Sequence, residues 1–338
     1  MACFVITFIT SLAAVYFFIL ILDPYGIVLP LTQRELQYGN QRTLYPQIVR
    51  SKRFDAFIVG TSTARLIDPQ ILNAPFAARF ANLSMNSMLA WEQKTMMEYL
   101  IRVSGPPKVL IVALDGAWCV PDADKIRFLK EGFPDWLYDD DRWNDYLYLL
   151  NIPTLKLALR QVLYNFGLVF AHVRDDGYGV FVPPDEQYDI LHVRQKIWAG
   201  QEPKIPADAR PFELSESGRQ ALNFPALPWL DAILAKLPSS TRKVLAYMPV
   251  HVASQPVPGT KDAVVEAECK SRIATIARAR GAMVIDWRFA SPLTREDSNY
   301  WDSLHYRLPV ANRITHDLAA AVLERREAQD GSYRFVVP

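Results

Sequence analysis

Apolar positions along this chain fall into three patterns. The first is continuous: residues 2–22, ACFVITFITSLAAVYFFILIL, carry no charge. At about 1.5 Å per residue a helix over this run matches the roughly 30 Å hydrocarbon core of a bilayer. No basic stretch precedes it and no small-x-small site follows, so an uncleaved anchor over 1–23 is expected rather than a signal peptide. The second pattern is the short aliphatic run bounded by turn residues. Such runs occur at 55–59, 79–84, 108–114 (KVLIVAL), 243–248 (KVLAYM) and 282–286 (AMVID). Each reads as a buried strand. The third is helical spacing, found between the strands. It falls near Pro69-Gln70-Ile71-Leu72, from Ala90 to Val103, from Ala263 to Arg280 and from Val310 to Arg326. Gly105-Pro106-Pro107 and Gly281 stop two of these segments.

Strands alternating with helices predict an α/β domain: a parallel sheet of about five strands, covered on both faces as three α/β/α layers. The domain is expected over 54–330. Residues 24–53, with Pro24, Pro30 and Pro46, read as an irregular juxtamembrane linker. A large insertion follows the third strand, at about 116–240. Helical stretches are expected there near 143–170, and 175–215 reads as irregular. Its aromatic and acidic stretch Phe133 to Tyr148 reads as core aromatics of the insertion, the alternative being a platform for stacking sugars.

Composition narrows the function classes. Half of the 338 residues are hydrophobic and the net charge is +1. A packed core is therefore expected, and neither net charge nor a basic stripe argues for nucleic acid. Cys3, Cys119 and Cys269 show no metal spacing. Cys119 and Cys269 could pair in an oxidising compartment; two buried free thiols are the expected state. The five histidines are scattered, His172, His192 and His316 without partner spacing. No metal set and no glycine-rich phosphate loop is visible, so no cofactor is expected.

Candidate chemistry gathers at the strand ends. Ligands of parallel sheets bind beyond the carboxyl ends of the strands. Thr61-Ser62, the Asn82–Ser87 loop, Asp115, His251 and the Asp302/His305 loop all follow predicted strands. In FDAFIVGTSTARLIDP (54–69), a strand runs into Gly60, then hydroxyls, then a helix start. That geometry lifts Ser62 out of the sheet and aims backbone N–H groups at developing negative charge. Near the other end, Asp302-Ser303-Leu304-His305 puts an acid three residues before a histidine. The carboxylate can hold one imidazole nitrogen while the other takes a serine proton. Arg65, early in the first helix, could meet an acidic substrate or simply solvate the surface.

With these two motifs the chain resembles the SGNH (GDSL-like) hydrolase superfamily over about residues 54 to 325. It looks most like the membrane-anchored, extracytoplasmic branch that includes proteins of polysaccharide O-acetylation and teichoic-acid D-alanylation. The resemblance implies a flavodoxin-like strand order. It implies Ser62 as nucleophile, His305 as base and Asp302 as orienting acid. The oxyanion hole would be drawn from Ser62, Ser87, Asn86 and Asn82, with Ser87 standing where the family has glycine. Asp115 stands where the family has an asparagine, and with Thr61, His251 and Arg65 it would line the site. Implied too is acyl transfer, first of all acetyl, or ester hydrolysis on an envelope polysaccharide or lipid-linked glycan. A membrane-bound acyltransferase would be a partner, and the domain would be extracytoplasmic (periplasmic). Arg34 and Arg42 after the anchor, counted by the positive-inside rule, vote instead for the cytoplasm. The alternative function is a catalytically inactive binding or assembly subunit of an envelope-polysaccharide machine.

Overall fold

A computed structural model describes residues 1–28, 40–125, 132–171, 173–198 and 210–338. Ala2–Leu22 form helix α1, long and apolar enough to cross a membrane. The linker expectation fails in part. Gln41–Arg50 form helix α2, although Pro46 lies inside it. Asn40 caps it through a 3.0 Å bond from the Arg42 N–H, and Leu44, Tyr45, Ile48 and Val49 bury its inner face. Pro46 hid this helix: its cost falls when tertiary burial supplies the stability. Arg34 and His172 lie outside the described residues.

Next come strand β1 (Ala56–Val59), helix α3 (Pro69–Phe76), strand β2 (Phe80–Asn82), helix α4 (Ala90–Ser104) and strand β3 (Val109–Leu114). The insertion follows, with helices α5 (Ile152–Asn165), α6 (Ile190–Trp198), α7 (Glu216–Ala221) and α8 (Leu227–Lys236). The segment expected to be irregular thus holds α6, which buries Val193 and Ile197. The chain then returns through β4 (Arg242–Tyr247), α9 (Lys261–Arg280), β5 (Ala282–Asp286), the short α10 (Pro292–Arg295), α11 (Leu308–Glu324) and β6 (Arg334–Val337).

The strands make one sheet in the order β2-β1-β3-β4-β5-β6. The first five run parallel; β6 pairs antiparallel with β5 and was not expected. β6, which follows the last helix, is only four residues long, a run too short to announce itself. Alternate residues of the central strands enter different cores. Phe57, Val59, Leu110, Val112 and Leu114 join one buried cluster with α2, α4, α8 and α9. Ala56, Ile58, Val109, Ile111 and Ala113 join another with α3 and α11. A sheet buried on both faces leaves its carboxyl rim as the place where polar groups can collect.

Cysteine chemistry departs from the expectation. Cys119, just past β3, is disulfide-bonded to Cys269 on α9. The aromatic stretch of the insertion is core only in its first half; Trp143, Leu147 and Tyr148 are exposed. Phe133, Leu137 and Tyr138 are buried, and Trp136 stacks on Tyr148 at 5.2 Å.

Candidate active site

The site grows from the end of β1. A Cβ on Gly60 would fall 2.6 Å from Ala113 Cβ, so only glycine lets the turn pass this close to β3. The chain then turns through a single 3₁₀ turn, Ser62–Ala64. Thr63 and Ala64 are buried, while Ser62 stays half-exposed at the rim. The phenol of Tyr306 donates to the Thr63 carbonyl and fixes this turn to the loop before α11.

That loop brings in the partners. His305 Nε2 lies 2.9 Å from Ser62 Oγ. His305 Nδ1 lies 2.9 Å from Asp302 Oδ2 and 3.1 Å from Oδ1. Residues 243 positions apart thus form one chain of hydrogen bonds, serine to imidazole to carboxylate. Asp302 Oδ1 also accepts the N–H groups of Leu304 and His305, each at 2.8 Å. Burial pushes the Asp302 carboxyl up, but the His305 hydrogen bond and charge and these two amides outweigh it. The net shift is downward. Phe181 meets the His305 ring edge-on at 5.3 Å and carries the Arg65 guanidinium 4.5 Å over its own face.

Beyond β2, Met85 to Leu89 form the second wall. Ser87 has φ +49°, the left-handed conformation that favours glycine. This loop is held from outside. Arg42 on α2 donates to both Glu92 carboxylate oxygens, at 2.6 and 2.7 Å, and to the Asn86 carbonyl. Glu92 in turn accepts the Leu89 N–H at 2.9 Å. The ion pair is buried on both sides. Arg65 donates to Asn86 Oδ1 at 2.8 Å, which leaves the Asn86 amide N–H groups without a described partner. The backbone N–H groups of Ser62 and Ser87 donate no hydrogen bond among the described residues. Asn82 is different. Its amide donates to the carbonyls of Ala64 and Ile67, at 2.8 and 2.9 Å, and its oxygen accepts the Ser84 N–H. The expectation that it serves an oxyanion is therefore corrected: both its N–H groups are committed to pinning the Ser62 turn to β2.

No family model and no curated protein matches this chain.

Asp115, at the end of β3, accepts the Ala117 N–H at 2.9 Å and hydrogen-bonds the Thr61 side chain. Burial pushes its carboxyl above the usual range, against the opposing effect of these bonds and of Arg288. Asp115 and Thr61 therefore adjoin Ser62 on the β3 side. His251 is fully buried. Its ring is wedged edge-on between Trp198 and Tyr300, and its Nδ1 accepts the Ala253 N–H. Its Nε2 is 3.1 Å from Asp297 but not aligned for a hydrogen bond. Burial lowers its pKa despite that carboxylate. The His251 backbone N–H donates to the Ser303 carbonyl at 3.0 Å, so the residue props the acid–histidine loop.

Sequence reasoning missed Arg42, Glu92, Phe181 and Tyr306. Glu92 sits at the capping-box position of α4 and accepts the Leu89 N–H, but a leucine in place of Ser or Thr at the cap hides that pattern in the sequence. Nothing local marks the other three. Among the described residues no group of three or more His, Cys, Asp and Glu gathers as a metal site.

Proposed function

We propose that this chain is a membrane-anchored serine acyltransferase or esterase, acting on an envelope polysaccharide or lipid-linked glycan. The carrying observation is the Ser62–His305–Asp302 hydrogen-bond chain on the carboxyl rim of the sheet. The strand order 2-1-3-4-5, with helices packed to both faces, supports reading the body as a three-layer α/β/α domain of SGNH type. In the proposed reaction Ser62 Oγ attacks an acyl carbonyl while His305 Nε2 takes its proton. Asp302 holds Nδ1–H and steadies the imidazolium. The oxyanion would be met by the Ser62 and Ser87 N–H groups and the Asn86 amide. His305 then gives its proton to the leaving oxygen. A sugar hydroxyl or water, deprotonated by the same imidazole, releases the acyl group and restores Ser62. A membrane-bound acyltransferase as the source of acyl groups belongs to the same proposal.

An extracytoplasmic body is part of this reading. The Cys119–Cys269 disulfide favours an oxidising compartment. The opposing charge argument weakens, because Arg42 is buried against Glu92 and does not present its charge at the membrane surface.

One observation favours the second reading, an inactive binding subunit. Asp115 carries a carboxyl where the resemblance asks for an amide donor. The two readings separate on turnover of an activated acetyl ester by the full chain in detergent. The enzyme reading expects turnover, labelling of Ser62 by a fluorophosphonate, and loss of both in Ser62→Ala. Equal background rates for the two proteins, with no label, would favour the binding subunit instead.

A further inference from the structure

The helix α5 is built inside out. Its buried positions are Thr154, Ala158 and Gln161, small or polar. Ile152, Lys156, Leu159 and Leu163 on the helix and Phe166 just after it are exposed and spaced as one helical stripe, four of the five apolar, with Pro153 and Asn165 exposed beside it. The chain on either side continues the pattern. Trp143 and Leu147 before α5 are more than four-fifths exposed, and so is Phe170 after it. Soluble domains rarely leave a contiguous apolar surface of this extent uncovered.

Its neighbour identifies what covers it. α1 packs against α5, and within α1 only the stretch Val15 to Leu22 includes buried or half-buried residues. Tyr16 donates to the Tyr146 carbonyl at 3.0 Å, and Tyr25, just past α1, hydrogen-bonds Thr154 at 3.0 Å. Ile19 is fully buried at this junction. The apolar run of α1 continues without a charge to Leu22. If α1 spans, the turns that meet α5 belong to the spanning stretch. The helix packed beside them must then lie at membrane depth.

We propose that α5 and its flanks form a second membrane-embedded surface. The stripe Ile152/Leu159/Leu163/Phe166 would sit among the acyl chains beside the anchor. Small inward residues suit close packing of two helices within lipid. Lys156, exposed within the stripe, reaches the headgroup level by snorkelling and favours an anionic leaflet. Trp143 and Tyr148 supply interfacial aromatics. The consequence is a body held by two contacts instead of swinging on one helix, with the catalytic rim at a set attitude to the bilayer. This rests on the anchor reading of α1, and the test separates the two.

The full chain, carrying Cys3→Ser, is reconstituted into vesicles of phosphatidylcholine and phosphatidylglycerol. Spin labels are placed singly at Leu159→Cys, Phe166→Cys, Phe8→Cys in α1 and the exposed Glu327→Cys. Collision rates are read with oxygen, which concentrates in lipid, and with a water-soluble nickel chelate. The expected result is an oxygen-to-nickel ratio at 159 and 166 several-fold above that at 327 and approaching that at 8. Nickel access at 159 and 166 with position 8 embedded overturns the second surface and leaves the anchor. Shielding of 159 and 166 from both reagents shows a protein covering and overturns it too. Nickel access at position 8 removes the anchor itself, and the inference with it.

Discussion

At the residue scale the site depends on one imidazole held from both sides. Asp302 fixes Nδ1, Ser62 meets Nε2, and Phe181 closes one flank. Asp302→Asn keeps the shape but cannot accept the Nδ1 proton in the same way. Turnover of the acetyl ester is expected to fall about 10⁴-fold with the fold intact, checked by circular dichroism. The same carboxylate predicts a pH effect on stability. Its folded pKa is depressed below its unfolded one. Its stabilising contribution is therefore complete above the ordinary carboxylate range and is lost as pH falls through the lowered value. Thermal midpoints of wild type should fall more steeply than those of Asp302→Asn in that acid window, and the two curves should converge at its lower end. The triad residues were legible because each sits in a short local motif whose strand or helix context could be read directly. Asn82 was misread for a related reason. Its position after β2 suits a donor, but whether its amide is free depends on carbonyls 15 to 18 residues upstream. Sequence pattern carries no record of that competition.

Between residue and molecule, the element that decides the second wall of the site is α2. Its Arg42 ties α2 to α4 through Glu92 and to the Ser87 loop through the Asn86 carbonyl. Ser87 holds a backbone conformation that costs a non-glycine residue about 1 kcal/mol or more, so the surroundings must over-determine it. Glu92→Gln removes the carboxylate that accepts two hydrogen bonds from the buried Arg42 guanidinium. The expected loss is about 3–5 kcal/mol in urea unfolding. Turnover should fall as well, because the loop carrying the Ser87 N–H is released. Arg42→Met combined with Glu92→Leu should recover most of the stability but not the turnover, since no group then holds the Asn86 carbonyl. An equal loss of stability in the single and double variants would count against this account. Elements with a clean aliphatic run or a full helical stripe, such as β3, β5 and α9, were readable within a few residues. The helix α2 was not, because Pro46 reads as a breaker and burial overrides it. Nor was α5's inverted stripe readable, since a sequence shows that one face is apolar but not whether that face turns inward.

For the whole molecule, the sheet explains why two ends of the chain meet, and the Cys119–Cys269 bond explains how the insertion between them stays in place. The bond spans 150 positions, from the loop after β3 to α9. Nearly all of the insertion therefore lies inside one covalent loop, with both anchors beside the same buried cluster. Closing so long a loop removes freedom chiefly from the unfolded chain, and removing the bond is expected to cost about 2–5 kcal/mol. Cys119→Ser with Cys269→Ser should lower the urea midpoint, and a reductant should lower wild type to the same value while leaving the variant unmoved. The compartment follows from the same pair. Membranes quenched in acid and alkylated before reduction should yield peptides with 119 and 269 unlabelled, and labelled only after reduction. Labelling of both before reduction would put the body on the reducing side of the membrane. The sheet, the Ser62–His305–Asp302 hydrogen-bond chain and the apolar helix α1 would be unaltered by that result. The envelope polysaccharide as substrate would not survive it, because that polymer is met only on the other face, which leaves a lipid-linked glycan.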